Sequence, residues 1–218
     1  MKYKTFIFDF DYTLCDATVG IVACVNYALG ELGFEPRDCE DIRKTVGMTL
    51  ENMFSYLTGD SDKETASKFF THFMSMADDK MTDNTILIPD SIAVLSKLKQ
   101  NDFNIAIVTT KVRYRVEEIL QKYDITGLVD LIIGFEDVKI PKPSPEGLLN
   151  AINYFDVKKD SVLFIGDSLI DANTANNADV DFAAVLTGTA TKEDFMQLSN
   201  ICIKNNLTEI LKFCKVIN

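Results

Sequence analysis

"FIFDFDYTLCD", residues 6–16, decides how the rest of the chain is read. Phe6, Ile7, Phe8 and Phe10 describe a strand covered on both faces, as in parallel sheets. Yet Asp9 and Asp11 share that segment, and unpaired buried charge is among the costliest things a fold can contain. The conflict disappears if the strand stops at the edge of a sheet, where cations and ligands can supply what the acids lack.

Outward from this segment, strand-like and helix-like stretches alternate. Short apolar runs occur at 5–10, 103–109, 128–133, 161–166 and 181–186, and a last one at 201–203. Amphipathic stretches at 90–100, 112–123, 144–155, 171–178 and 207–215 fall between or after them. Such alternation predicts βαβ units, hence an α/β fold with a parallel sheet and helices on both sides. Residues 16–83 break the rhythm. They hold helical stretches and no convincing strand, which predicts a separate helical domain, 16–83, inserted into a core made of 1–15 and 84–218.

Composition bounds the function. With 218 residues, 47% of them hydrophobic, the chain can bury a full core. No window approaches the roughly 18 continuous apolar residues of a membrane span. The opening "MKYKTFIFDFD" turns at once into an acidic strand pattern without an apolar signal region, so a cytoplasmic protein is expected. Five cysteines, odd in number and without a CxxC, argue against a disulfide framework and a zinc site and suit a reducing compartment. A net charge of −11 disfavours nucleic acid and anionic membranes as partners and favours divalent cations. The single histidine, His72, sits among Phe69, Phe70, Phe73 and Met76 and reads as a helix residue without a catalytic role.

In an open parallel sheet, ligands bind beyond the carboxyl ends of the strands. The first strand is followed by Asp9, Asp11 and Thr13, and the second by Thr109, Thr110 and Lys111. Lys139 and Lys142 lie in "KIPKPSPE" after the third, and Asp167, Ser168 and Asp171 in "GDSLID" after the fourth. Taken singly, each is an ordinary turn, cap or loop residue. Together at one edge, the mutually repelling carboxylates need a cation. Asp9, Asp11 and Asp167 suit hard-oxygen ligation of Mg²⁺, which binds few carboxylates and keeps positions for water and a phosphate. A carboxylate beside such an ion can be a nucleophile toward phosphorus, and a second can protonate the leaving oxygen and then activate water. Asp9 and Asp11, two apart on an extended chain, point the same way and could divide these tasks. The Thr109 hydroxyl and the Lys142 ammonium would steady the phosphoryl oxygens.

In this order and spacing, "DFDYT", "VTTK", "KPSPE" and "GDSLID" resemble the haloacid dehalogenase-like hydrolase superfamily, closest to its phosphoglycolate phosphatase-like and β-phosphoglucomutase-like branch. The resemblance spans nearly the whole chain and implies a Rossmann-like three-layer sandwich with an inserted helical-bundle cap. It implies Asp9 as nucleophile, Asp11 as general acid/base, Thr109 as phosphate-binding hydroxyl and Lys142 as the lysine that stabilises both nucleophile and phosphate. Mg²⁺ would be held by Asp9, the backbone carbonyl of Asp11, and Asp167, with Asp171 assisting. Thr110 and Lys111 fall on the substrate side of the second motif, Lys111 with a surface lysine as the equal alternative. Arg43 and Gly47, around "TVGMTLENM", match a cap loop that faces substrate. Two positions depart from the family pattern: Tyr12 stands where glycine is common, and Ala178-Asp179 replaces an Ala-Gly turn.

The leading expectation is a Mg²⁺-dependent phosphatase for a small soluble phosphomonoester, such as a phosphoglycolate-like or sugar phosphate. A β-phosphoglucomutase-like phosphomutase is the alternative, and a catalytically inactive binding or regulatory module is a lesser one. A dehalogenase is disfavoured by Asp11, since that branch has no leaving oxygen to protonate. The expected partner is a small phosphorylated metabolite, not nucleic acid or a membrane, and the chain leaves monomer and homodimer both open.

Overall fold

The computed structural model describes residues 2–198 and 201–217. The chain forms two compact units, one from the residues up to Cys15 together with those from Leu87 onward, the other from Asp16–Ile86. Two-residue strands, β2 (Cys15–Asp16) and β3 (Ile86–Leu87), lie at the passages between them.

The larger unit is built on β1 (Thr5–Phe8), β4 (Asn104–Val108), β5 (Leu131–Ile133), β6 (Val162–Gly166), β7 (Asp181–Val185) and β8 (Ile201–Lys204). They form a six-stranded sheet in the order β5-β4-β1-β6-β7-β8, parallel at every pairing. The chain runs from β1 outward to β4 and β5, then returns to β6 on the other side of β1, so the direction of progression reverses beside β1. That reversal is the topological switch point of a doubly wound sheet, where its carboxyl edge opens into a crevice.

Strand alternation sorts the side chains onto two faces. Phe6, Phe8, Ile105, Ile107, Leu163 and Ile165 pack on one side with α5 (Ser91–Lys99), α6 (Arg113–Lys122) and α10 (Leu207–Phe213). Ile7, Ala106, Val108 and Phe164 face the other, against α7 (Glu146–Phe155), α8 (Leu169–Ala178) and the short α9 (Lys192–Phe195). Both faces are therefore covered, and the Rossmann-like three-layer sandwich is the fold. Phe6, Phe8 and Phe10 are wholly buried; each contributes about 1.5–3 kcal/mol of burial energy, enough to seat the central strand firmly.

The smaller unit holds α1 (Thr18–Glu31), α2 (Cys39–Arg43), α3 (Leu50–Thr58) and α4 (Lys63–Lys80). Its own core gathers Val25, Leu29, Phe54, Phe69 and Phe73. Local signals set its helix starts: Thr49 accepts from the Asn52 N–H at 3.3 Å, and Asp62 from that of Thr65 at 2.8 Å. His72 lies in α4, half-buried, with its ring edge-on to Tyr27. All five cysteines are free. Among the described residues no helix is long and apolar enough to cross a membrane.

Among the element boundaries that differ from the sequence expectation, three have plain local reasons. The first strand ends at Phe8, not at residue 10, because the chain bends at Phe10 into a loop whose carbonyl accepts from the Leu14 and Cys15 N–H groups at 2.9 and 3.1 Å. The third major strand begins at Leu131, since Thr126–Leu128 winds into a 3-10 turn. Helix α8 starts two residues early, at Leu169, because Ser168 and Asp171 form a reciprocal capping box.

Candidate active site

Asp9 follows the last residue of β1, where its N–H still donates to the Ile165 carbonyl at 2.8 Å. The central strand thus delivers a buried carboxylate to the carboxyl edge and fixes its backbone to β6. The Lys142 ammonium donates to Asp9 Oδ1 at 2.7 Å and to Asp171 Oδ1 at 2.6 Å. All three side chains are at most 5% exposed, so these are charge-assisted bonds in a dry setting.

Asp171 serves the fold and the site at once. Its Oδ2 accepts from the Ser168 hydroxyl at 2.6 Å and the Ser168 N–H at 3.2 Å, closing the α8 capping box, while Oδ1 takes Lys142. Asp167, after β6, accepts from the Thr13 hydroxyl at 3.0 Å. One oxygen from each of Asp9, Asp167 and Asp171 lies within 4.8 Å of the others.

Asp11 goes elsewhere. Because the strand has ended, Asp9 and Asp11 do not share one extended segment, and their carboxylates have different partners. The Lys111 ammonium donates to both oxygens of Asp11 at 2.9 Å. Lys111 is not a surface lysine: its side chain is 9% exposed, that of Asp11 13%. Its N–H donates to Thr109 Oγ1 at 3.2 Å, and the Thr109 N–H donates to the Ile133 carbonyl at 3.0 Å, so the second motif is anchored to β5. Thr110 lies between them, half-buried. Arg43 ends α2 and pairs with Glu40 at 3.3 Å, and Gly47 precedes α3 with a φ of 94°; both belong to the helical unit.

The loop after β7 supplies contacts that the reading of four strand ends passes over. The Thr187 hydroxyl donates to the Tyr12 carbonyl. Tyr12 has a φ of 60°, a left-handed conformation that costs a residue with a Cβ about 1–2 kcal/mol. Its side chain is buried. The departure at Tyr12 is therefore a backbone matter: the turn keeps a shape that suits glycine, held by the Thr187 bond and by ring burial. The other departure, Asp179, also adopts the left-handed conformation, with a φ of 57° at the end of α8. A Cβ on Gly188 would overlap the Asp167 carboxylate at Oδ2. The strand-plus-"TG" pattern at 181–188 is the signal that marks this loop.

Gly188→Ala is expected to displace the Asp167 carboxylate and weaken divalent-cation binding by roughly tenfold or more, as loss of support around a ligand does. Calorimetric titration of the variant with Mg²⁺ measures this, and an affinity equal to wild type would show that the loop gives way instead.

The electrostatics fit a hard divalent cation. Burial, then Asp171, pushes Asp9 up to about 7, against the pull of Lys142. Burial, then Asp171 and Asp9, also holds Asp167 well above the usual carboxylate range. Lys142 is driven down by burial, but Asp171 and Asp9 outweigh this and hold it above its ordinary value. One ammonium does not balance three clustered carboxylates. An all-oxygen donor set short of positive charge matches ligation of a hard divalent cation.

This architecture, with acids and a lysine collected at the switch point of a doubly wound parallel sheet and a helical insertion after the first strand, defines a class of α/β enzyme. The chain belongs to the haloacid dehalogenase-like hydrolase family, whose model matches residues 6–185. A phosphoglycolate phosphatase of Psychrobacter arcticus is 29% identical over 91% of this chain and 90% of its own. A pyrophosphatase PpaX of Bacillus cereus is 29% identical over 85% of this chain and 84% of its own. A crystal structure from Bacteroides fragilis, described as a haloacid dehalogenase-like hydrolase, superposes with a TM-score of 0.93 at 40% identity, covering 96% of this chain and all of the other. The chain is a phosphatase-type hydrolase of this family.

Proposed function

We propose that the chain is a Mg²⁺-dependent phosphatase that hydrolyses a small phosphomonoester through an aspartyl-phosphate on Asp9. The observation that carries this reading is the buried Asp9–Lys142–Asp171 network beside Asp167, separate from an Asp11 held by its own lysine. A carboxylate that must attack phosphorus and one that must move a proton need different surroundings, and the separate partners of Asp9 and Asp11 support that division of roles.

Asp9, Asp167 and Asp171 would hold Mg²⁺ with the Asp11 carbonyl; the ion, when bound, supplies charge neutralisation at the phosphoryl oxygens. In the first step an Asp9 carboxylate oxygen bonds to phosphorus, the P–O bond to the alcohol breaks, and protonated Asp11 gives its proton to the departing oxygen. In the second, water bonds to phosphorus and loses a proton to Asp11 as the Asp9–phosphorus bond breaks. Inorganic phosphate leaves and Asp9 returns to its starting state. Lys142 keeps Asp9 oriented throughout, and the Thr109 hydroxyl is placed to donate to a phosphoryl oxygen. The family likeness supports a role for the helical unit in substrate choice, with Arg43 and Gly47 as its candidate residues.

Phosphoglycolate and pyrophosphate, the compounds named in the two curated relatives, both carry an anionic group beyond the phosphoryl that is transferred. This supports small, multiply charged substrates over large sugar phosphates. Phosphate release from p-nitrophenyl phosphate is expected in Mg²⁺, to disappear in EDTA and to return when Mg²⁺ is restored. Failure to release phosphate from that ester and from a panel of phosphorylated metabolites, with Mg²⁺ present, would reject the reading.

A further inference from the structure

Lys111 and Asp11 form a closed pair at the edge of the site. Both oxygens of Asp11 receive the ammonium at 2.9 Å, and both side chains are largely shielded from water. The lysine is placed by its backbone, through the N–H to Thr109 Oγ1. With the ammonium bridging both of its oxygens, Asp11 is held as the carboxylate of an ion pair rather than as an acid free to serve a leaving group or a water. As it stands, the pair keeps Asp11 out of proton transfer, and the lysine has to let go before the reaction can proceed.

Drawing an ammonium from a shielded carboxylate without replacing its partner is costly, because two charges are left unpaired. Exchanging one anion for another costs far less, and the four-carbon stem of lysine allows the head group to swing. The transferred phosphoryl group already has Lys142 and the cation site next to Asp9. A second anionic group on the substrate needs a cation of its own, and Lys111 is the shielded lysine beside the acid that must be released.

We propose that Lys111 is a specificity-determining residue: it holds Asp11 idle until a second anionic group of the substrate takes over its ammonium. The inference rests on the phosphatase reading and adds a substrate class, phosphomonoesters with a carboxylate or a further phosphate close to the scissile P–O bond. Substrates with a neutral leaving group must break the pair uncompensated. A hydrogen bond to a charged group of this kind discriminates by roughly ten- to hundredfold.

The test is the ratio of kcat/KM for 2-phosphoglycolate to that for ethyl phosphate, near-isosteres that differ by a carboxylate in place of a methyl group. A pyrophosphate and methyl phosphate pair repeats the comparison. Wild type is expected to favour the doubly anionic member by about tenfold or more. Lys111→Arg should keep the preference, and Lys111→Gln should lose most of it, chiefly through a rise on the singly anionic member, which no longer has a pair to open. Because the ratio is taken within one protein, it does not depend on the fraction folded. Equal rates on both members by wild type would overturn the inference, and so would a proportional loss on both in Lys111→Gln. The latter would make Lys111 a structural support only. Hydrolysis of no member of either pair by wild type in Mg²⁺ rejects the phosphatase reading itself, and the inference falls with it.

Discussion

Asp9→Asn is expected to remove phosphate release almost entirely, by roughly 10,000-fold or more, as loss of a covalent nucleophile does. The amide matches the carboxylate in shape, so the effect isolates charge and nucleophilicity. It also relieves the site: Asp9 is pushed up to about 7 by burial and Asp171, and its replacement removes one of three crowded carboxylates. Lys142 keeps Asp171 as its partner at 2.6 Å. The metal-free variant should therefore be at least as stable as wild type while inactive. This pairing separates a catalytic role from a structural one. Phosphate release and the urea unfolding midpoint, measured on the same preparation in EDTA and in Mg²⁺, check both halves. Activity within tenfold of wild type would mean that another group attacks phosphorus.

The strand-end logic made much of the site legible. Asp9, Asp167 and Asp171 could be placed together because each follows or caps an element that ends at the same edge of a parallel sheet. Lys142 could be brought to the same edge because "KIPKPSPE" follows the third strand, but its bridge between Asp9 and Asp171 was not legible, since that stretch has no periodicity of its own. The Asp11–Lys111 pair was out of reach for a different reason. It depends on how the loops after β1 and β4, adjacent strands 100 residues apart in sequence, meet at the edge. The reading that Asp9 and Asp11 point the same way assumed an extended chain, whereas β1 ends at Phe8 and the loop turns through Tyr12. Thr187 and Gly188 were missed because the search followed charge, and that strand end carries none. Arg43 and Gly47 rested on likeness to a cap loop alone; helical periodicity sets which face is buried in a bundle but not what that bundle covers.

Lys142→Met is the substitution for which the largest loss of stability is expected. The lysine side chain is 4% exposed and bridges Asp9 and Asp171, neither more than 5% exposed. Methionine matches the aliphatic stem, so packing changes little while the ammonium shared by these carboxylates is lost. Removing one partner of a buried ion pair costs about 3–5 kcal/mol. Protonation of the carboxylates caps that cost, which gives the effect a characteristic pH dependence. In wild type, Asp9 has a folded value of about 7 against an ordinary 3.8, so the folded state binds more protons between those values. Stability of the metal-free protein therefore falls as pH rises through that window. Lys142 pulls Asp9 downward, so without it the window extends to higher pH and the fall is deeper. The difference between wild type and variant should be small near pH 5 and approach its full size near pH 8. Mg²⁺ should recover part of the lost stability, since it supplies charge to the same carboxylates, but not the activity, because Asp9 loses the contact that orients it. Urea midpoints across this pH range, in EDTA and in Mg²⁺, decide the matter. A pH-independent difference would point to packing, and no difference at pH 8 would show that the three acids do not depend on this lysine.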